Sequence, residues 1–142
     1  MPYPPEYERA GTVFTDFLTD VKNNASFGSS HMAYTMAQGV FQVFRRRLDM
    51  KDAIRFSNSL PAGLRALFVA DWDVDQRIKE FSSKEEMNLE VRELRPDHNF
   101  SHLTEDPIQC VAKALWKLVG VKRFQTMLCS LPTYAQKFWN LE

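Results

Sequence analysis

The chain has 142 residues, the size of one ordinary domain, and 44% of them are hydrophobic, so it can bury a sizeable core. Its 18 basic and 18 acidic residues give a net charge of zero, which argues against a domain built to hold nucleic acid or an anionic membrane. No apolar run has the length of a membrane span, and the first residues lack the charged and apolar regions of a signal peptide, so we expect a cytoplasmic protein.

The N-terminal part of the chain predicts an arm followed by two helices. Prolines crowd residues 1–11 and predict an extended arm. A first helix is expected to begin near Thr12, which can cap it. The second helix is expected to run from about residue 30 to residue 48, with Gly39 in its middle. Because a mid-helix glycine costs about 1 kcal/mol against alanine, Gly39 indicates a close approach by another helix.

Two shorter helices complete the first half of the chain. Asp49 predicts the cap of the third helix. Pro61 is expected at the first position of the fourth, where its missing N–H costs nothing. Residues 74–81 are predicted to be a linker with some helical character.

Four helices are predicted in the second half. Ser82 and Ser83 each stand three residues before a glutamate, which gives two overlapping capping boxes for the fifth helix. A threonine, two acids and a proline at residues 104–107 predict the start of the sixth, and Gly120 its end. A short seventh helix follows, and Pro132 opens the eighth.

A Ser-Leu-Pro step occurs twice, at residues 59–61 and again, 71 residues later, at residues 130–132. An apolar pair follows each proline at the same distance: Leu67-Phe68 and Phe138-Trp139. At the same offset His31 corresponds to His102. The sequence therefore predicts a duplicated helical unit.

The predicted fold is all-α, with about eight helices in two pseudo-repeated four-helix halves. The halves are residues 12–72 and 83–141, and they are expected to form one bundle-like domain over residues 12–142. The apolar stripes of the second and sixth helices are wider than one short partner would cover. We therefore expect the halves to pack on each other through these two helices.

Several of these residues form a pattern known from other proteins: Arg47-Leu48 at the end of a long helix, then Ala53, Leu60-Pro61 and Trp72. In this pattern the chain resembles the DUF2267 family, bacterial domains of unknown function, over about residues 12–141. The second half repeats it more loosely, with Leu118-Val119 where the first has Arg-Leu. The resemblance implies an all-helical duplicated fold and brings no established catalytic residues.

The residues that could carry chemistry do not form a recognisable active site. His98 and His102 have the spacing of metal ligands, but the residues around them predict a turn, and no third ligand stands nearby. Cys110 and Cys129 are too few for a disulfide framework, so we expect reduced thiols that pack as small core residues. No phosphate-binding loop or nucleophile elbow is present. We therefore predict no catalytic residue, no metal, no cofactor and no enzymatic activity.

The candidates for ligand or partner contact are His31, His102, Arg46, Trp72 and Trp139. The two histidines come near each other if a pseudo-twofold axis relates the halves. Alternatively, each serves at the start of its own helix.

The basic run at residues 45–47 covers about 200° around a helix, so it does not form one flat patch. At least one of the three arginines is expected to turn toward a neighbouring helix and pair with an acid such as Asp49, Asp52 or Asp71.

Two functions are compatible with these observations. The first is a non-catalytic interaction module that binds a protein partner or forms a homodimer through an exposed aromatic groove. The alternative is a binder of a small apolar ligand, held in a pocket between the two halves. Neither nucleic acid nor a membrane is an expected partner.

Overall fold

The computed structural model describes residues 3–26, 29–94 and 106–141, which contain nine α-helices and no strand. The predicted all-α class is therefore confirmed. The described helices are α1 (Pro5–Glu8), α2 (Ala10–Ala25), α3 (Ser30–Arg45), α4 (Met50–Asn58), α5 (Ala62–Val69), α6 (Lys84–Glu93), α7 (Pro107–Val119), α8 (Val121–Leu128) and α9 (Thr133–Phe138).

Helix α1 lies where an extended arm was predicted, so that prediction is wrong. Pro5 is the first residue of α1, where its fixed φ suits a helix and its missing N–H has no partner to lose. The backbone N–H of Arg9 donates to the carbonyl of Pro5 at 3.0 Å, and α2 then begins at Ala10. Thr12 is therefore inside α2 and does not cap it.

Side-chain caps begin the helices largely where the sequence predicts them. The Asp49 carboxylate accepts from the backbone N–H of Asp52 at 2.8 Å, and the Ser83 hydroxyl from that of Glu86 at 3.2 Å. Pro61 is the N-cap of α5 instead of its first helical residue. Residues 74–81 contain no helix, so their predicted helical character is wrong.

An aromatic cluster with residues from both halves of the chain forms the centre of the core. The ring of Trp139 stacks on that of Phe56 with centroids 5.4 Å apart, and the ring of Phe138 lies 4.8 Å from that of Phe44. Both predicted motif leucines, Leu60 and Leu131, are buried as expected. Since α3, α4 and α9 share this cluster, the chain forms a single helical domain.

Helices of the first half pack against helices of the second half in a reciprocal way. Helix α2 makes its most extensive contact with α7, α3 lies on α6, and α3 also contacts α7 as predicted. A Cβ atom on Gly39 would lie 3.2 Å from Cγ1 of Val91, so the close approach predicted at Gly39 is to α6. The contacts of α2 with α7 and of α3 with α6 are the ones expected if a pseudo-twofold axis relates the two halves. The duplication itself stays a prediction.

Candidate functional site

A groove of about 220 Å³ lies between the end of α3, the start of α4 and the connector of residues 70–83, which joins α5 to α6. We call it the Trp72 groove, and it is lined by Arg45, Arg46, Leu48, Met50, Trp72, Val74, Gln76 and Ile78. Among the described residues, no acidic side chain lines it. The groove therefore combines an apolar surface with two guanidinium groups.

Three apolar side chains of the Trp72 groove are strongly exposed. Met50 is 47% exposed, Val74 60% and Ile78 55%. Single exposed apolar residues are ordinary, but a contiguous group beside a half-buried tryptophan is typical of a binding surface.

Arg45 fixes the wall of the groove that carries Trp72. Its buried guanidinium donates from Nη1 to the carbonyl of Phe68 at 2.8 Å and to that of Ala70 at 2.9 Å, at the C-terminal end of α5. It also lies 5.4 Å from the centroid of the Trp72 ring. Burial lowers the pKa of Arg45 from its usual value, and the charge of Asp71 opposes that shift in part. Trp72 is thus held against a rigid support.

Glu90 of α6 lies beside the groove and pairs with three cations. Its Oε1 is 2.6 Å from Nη1 of Arg46 and 3.3 Å from Nζ of Lys79, while its Oε2 is 2.6 Å from Nη2 of Arg47. Burial alone raises the pKa of Glu90, but the hydrogen bond and charge of Arg47, together with Lys79, outweigh it, so this pKa lies below its ordinary value. Glu90 thus neutralises part of the positive charge of these three cations, and Asp71 and Asp73 line a neighbouring pocket together with Arg45 and Arg46.

The same arginines hold the connector in place. The backbone N–H of Lys79 donates to the carbonyl of Arg46 at 3.0 Å, and Nε of Arg47 donates to the carbonyl of Glu80 at 3.1 Å. These two bonds fix a segment without secondary structure. Ile78 stands next to them in the chain, so its position in the groove is fixed as well.

The prediction asked for an acid partner such as Asp49, Asp52 or Asp71 for at least one of the three arginines, and the ion pairs of Arg46 and Arg47 are made by an acid that it did not name. Arg46 and Arg47 pair with Glu90, because α6 packs against α3 and brings that carboxylate to the end of α3. Arg45 turns inward as predicted, and the acid whose charge acts on it is Asp71, one of the three expected.

A second cavity, of about 340 Å³, lies where both halves of the chain meet near the first Leu-Pro step. We call it the Pro61 cleft, and it is lined by Pro5, Glu6, Arg9, Val13, Ser59, Leu60, Pro61, Leu118, Val119 and Arg123. Its walls come from α1 and α2, the Leu60-Pro61 step, and the junction of α7 and α8.

The candidate residues are distributed over different parts of the molecule. Arg46 and Trp72 come together in the Trp72 groove. His31 is the exposed second residue of α3. His102 lies outside the described residues, so an approach of the two histidines stays a prediction. Trp139 has no exposed surface and packs in the aromatic core, where this conformation offers it no contact with a partner.

In the described part of the chain, the two cysteines form no disulfide and the metal-ligating side chains form no metal site. Cys110 is buried and Cys129 is exposed, and no disulfide joins them, so the prediction of a buried thiol is wrong for Cys129. Among residues 3–26, 29–94 and 106–141 no group of three metal-ligating side chains is present. His98, like His102, falls outside these ranges.

Sequence reasoning missed Glu90 and two of the most exposed groove residues, Val74 and Ile78. An extended connector has no helical period, so nothing marks these two as neighbours of Trp72. It also missed Arg9 and Arg123, which come from distant parts of the chain and line the same cavity.

Within the described ranges no helix is both long and apolar enough to cross a bilayer.

Comparison with known proteins bears on the family. The comparison with curated proteins gives no match. A family model described as "Uncharacterized conserved protein (DUF2267)" matches residues 14–138, from within α2 to the last residue of α9. The match thus takes in the Leu-Pro steps, the basic run and the aromatic core described above except Trp139, and on that basis the chain belongs to the DUF2267 family.

Proposed function

We propose that this protein is a non-catalytic interaction module that binds a protein partner through the Trp72 groove. The observation that supports it is the contiguous exposure of Met50, Val74 and Ile78 beside a tryptophan held by a buried arginine. Tryptophan, methionine and arginine are the residue types that protein interfaces favour.

The groove offers groups for binding but few for catalysis. Besides apolar side chains it contains two guanidinium groups and the amide of Gln76, none of which is a nucleophile or a general base near neutral pH. Because Arg45 already holds Trp72 in place, a partner would lose little conformational entropy in ordering that side chain on binding.

Charge favours a different protein over a second copy of this chain. A twofold contact between two copies would bring the same groove to both sides, and Arg45 and Arg46 of one copy would face those of the other. Juxtaposed like charges oppose association, to the extent that the ion pair of Arg46 with Glu90 leaves its charge uncompensated. A partner with an apolar surface flanked by carboxylates complements the groove.

The test compares two single substitutions in protein purified from its own host. Ile78→Asp places a charge in the groove, and Leu89→Asp places the same charge at a similarly exposed position on α6, outside the groove. Native mass spectrometry should show a bound subunit with the wild-type chain and with Leu89→Asp, but not with Ile78→Asp. Circular dichroism confirms that both variants fold.

Three results would decide against the proposal or change it. If no complex forms with the wild-type chain, the interaction module is excluded under those conditions. If both variants keep the complex, the surface lies elsewhere. If the complex is a dimer of this chain that Ile78→Asp disrupts, the partner is a second copy, and the charge argument is wrong.

The Pro61 cleft supports a second candidate function, the binding of a small ligand with an apolar body. Its volume of about 340 Å³ falls within the range of roughly 300–1,000 Å³ typical of small-molecule sites. Its lining comes from both halves of the chain, which is where the sequence suggests a ligand pocket. A small molecule in the native mass spectrum that is absent after denaturation would support it.

A further inference from the structure

We propose that the Pro61 cleft binds an aliphatic carboxylate, with its hydrocarbon chain against the apolar walls and its carboxylate between Arg9 and Arg123. This inference rests on the second candidate function, ligand binding, and specifies the chemical class of the ligand. It is independent of the Trp72 groove.

The walls of the cleft suit a saturated hydrocarbon chain. Val13, Leu60, Leu118 and Val119 line it together with two prolines, and no aromatic ring of the described residues does. The hydroxyl of Ser59, which also lines it, is engaged elsewhere, since the buried Ser59 donates from Oγ to the carbonyl of Phe56 at 2.7 Å. An apolar chain therefore displaces water from this surface without leaving that hydroxyl unpaired.

The charges that line the cleft favour an anion. The carboxylate of Glu6 lies 3.3 Å from Nη2 of Arg65, so its charge is already paired. Arg9 and Arg123 have no ion pair within the part of the chain that the structure describes. A guanidinium group matches a carboxylate with two parallel hydrogen bonds, and such charge-assisted bonds are stronger than those to a neutral group.

The helix ends beside the cleft add to this preference. Helix α5 begins after Pro61 and α8 after Gly120, and neither has a side-chain cap for its first N–H groups. The positive ends of both helices favour negative charge, while the negative ends of α4 and α7 at the same two junctions offset part of this effect. An uncharged apolar ligand would gain nothing from these groups, so charge should decide between ligands of equal chain length.

The test is a titration of the full chain, stripped of bound lipid, with decanoate kept below its micelle concentration. Decanol and decylamine have the same chain with a neutral and a positive end, and acetate has the same charge without the chain. Isothermal calorimetry measures affinity, and ¹⁵N-amide chemical shifts locate the site. We expect one decanoate per chain, binding at least about tenfold more tightly than decanol, with shifts confined to the cleft.

Two matched double variants test the arginines. Arg9→Gln with Arg123→Gln should weaken decanoate binding at least about tenfold, to the level of decanol. Arg77→Gln with Lys113→Gln changes the net charge equally at exposed positions outside the cleft and should leave the affinity unchanged. Leu118→Trp fills the cleft and should weaken both ligands.

The outcomes separate this inference from the function on which it rests. If decanol and decanoate bind equally well in the cleft, or if the arginine variant binds decanoate like the wild type, the ligand is apolar and the carboxylate inference is wrong. If neither ligand shifts the cleft amides, the ligand-binding function is overturned together with the inference. A melting curve for each variant shows that a loss of binding is not a loss of folding.

Discussion

Removing the carboxylate of Glu90 should destabilise the protein more than its position beside an exposed connector suggests. The side chain of Arg47 is only 1% exposed, and Glu90 is its ion-pair partner. Without that partner, Arg47 keeps its hydrogen bonds to the carbonyls of Val43 and Glu80, but its charge is buried without compensation. Breaking such a buried pair typically costs about 3–5 kcal/mol.

The other two cations at Glu90 should contribute less to this loss. The side chain of Lys79 is 53% exposed and that of Arg46 is 27% exposed, so water can replace the carboxylate. Because Arg47 retains two carbonyl acceptors, we expect Glu90→Ala to lower the free energy of unfolding by about 3 kcal/mol. Against a typical stability of about 5–15 kcal/mol, the variant still folds.

Urea unfolding measures this difference, with Glu93→Ala as the matched control. Glu93 is the exposed last residue of the same helix, so its replacement should change stability by less than about 0.5 kcal/mol. The double variant Arg47→Met with Glu90→Leu should be more stable than Glu90→Leu alone, because it removes both charges. A loss below about 1 kcal/mol for Glu90→Ala, or no recovery in the double variant, would refute the reasoning.

Acidification should weaken the same interaction. The pKa of Glu90 is lower in the folded chain than its ordinary value of 4.5, so in acid the unfolded chain binds a proton more readily. The stability that Glu90 contributes is therefore complete above that ordinary value and is lost as the pH falls through the lowered one. The difference in stability between the wild type and Glu90→Gln should shrink over this acidic range, and a constant difference would contradict the assignment.

Three further predictions concern the core and the relation of the halves. Leu60→Ala should cost about 2–5 kcal/mol because it empties a buried site, whereas Leu89→Ala at an exposed position should cost less than about 0.5 kcal/mol in the same urea titration. Gly39→Leu should cost at least about 1–3 kcal/mol, since its side chain collides with α6, and a thermal midpoint equal to wild type would contradict this. Residues 1–76 and 77–142, expressed separately, should show no sharp melting transition, and two soluble, independently melting halves would show that the core is not shared.

The helices could be predicted from the sequence where their signals are local. Asp49 and Ser83 cap helices because each needs only a backbone N–H three residues away. Helix α3 begins at the predicted residue 30, and the hydroxyl of Ser29 caps it by accepting from the backbone N–H of Met32. Helix α1 was missed because its prolines also suit an extended arm, and a four-residue helix has no apolar period to decide between the two.

The candidate sites could be predicted only in part, because they depend on contacts between distant residues. The inward turn of one arginine follows from helical geometry alone, but its acid partner does not. Arg47 and Glu90 stand 43 residues apart, and nothing local in either segment identifies the other. The surface formed by the connector is harder to predict. Val74 and Ile78 lie in one groove only because hydrogen bonds to Arg46 and Arg47 fix the path of the connector.

Both candidate sites depend on the contact between the halves, which links function to stability. Glu90 of α6 binds the arginines that hold the connector beside the Trp72 groove, and the Pro61 cleft loses one wall if α7 leaves α2. A partner or ligand proposed for either site would therefore bind only the fully packed chain and stabilise it by mass action, by about 2.7 kcal/mol at a hundred times its dissociation constant. Substitutions in the shared aromatic core should consequently weaken both sites together, whereas Ile78→Asp and the paired arginine variant should each affect only one.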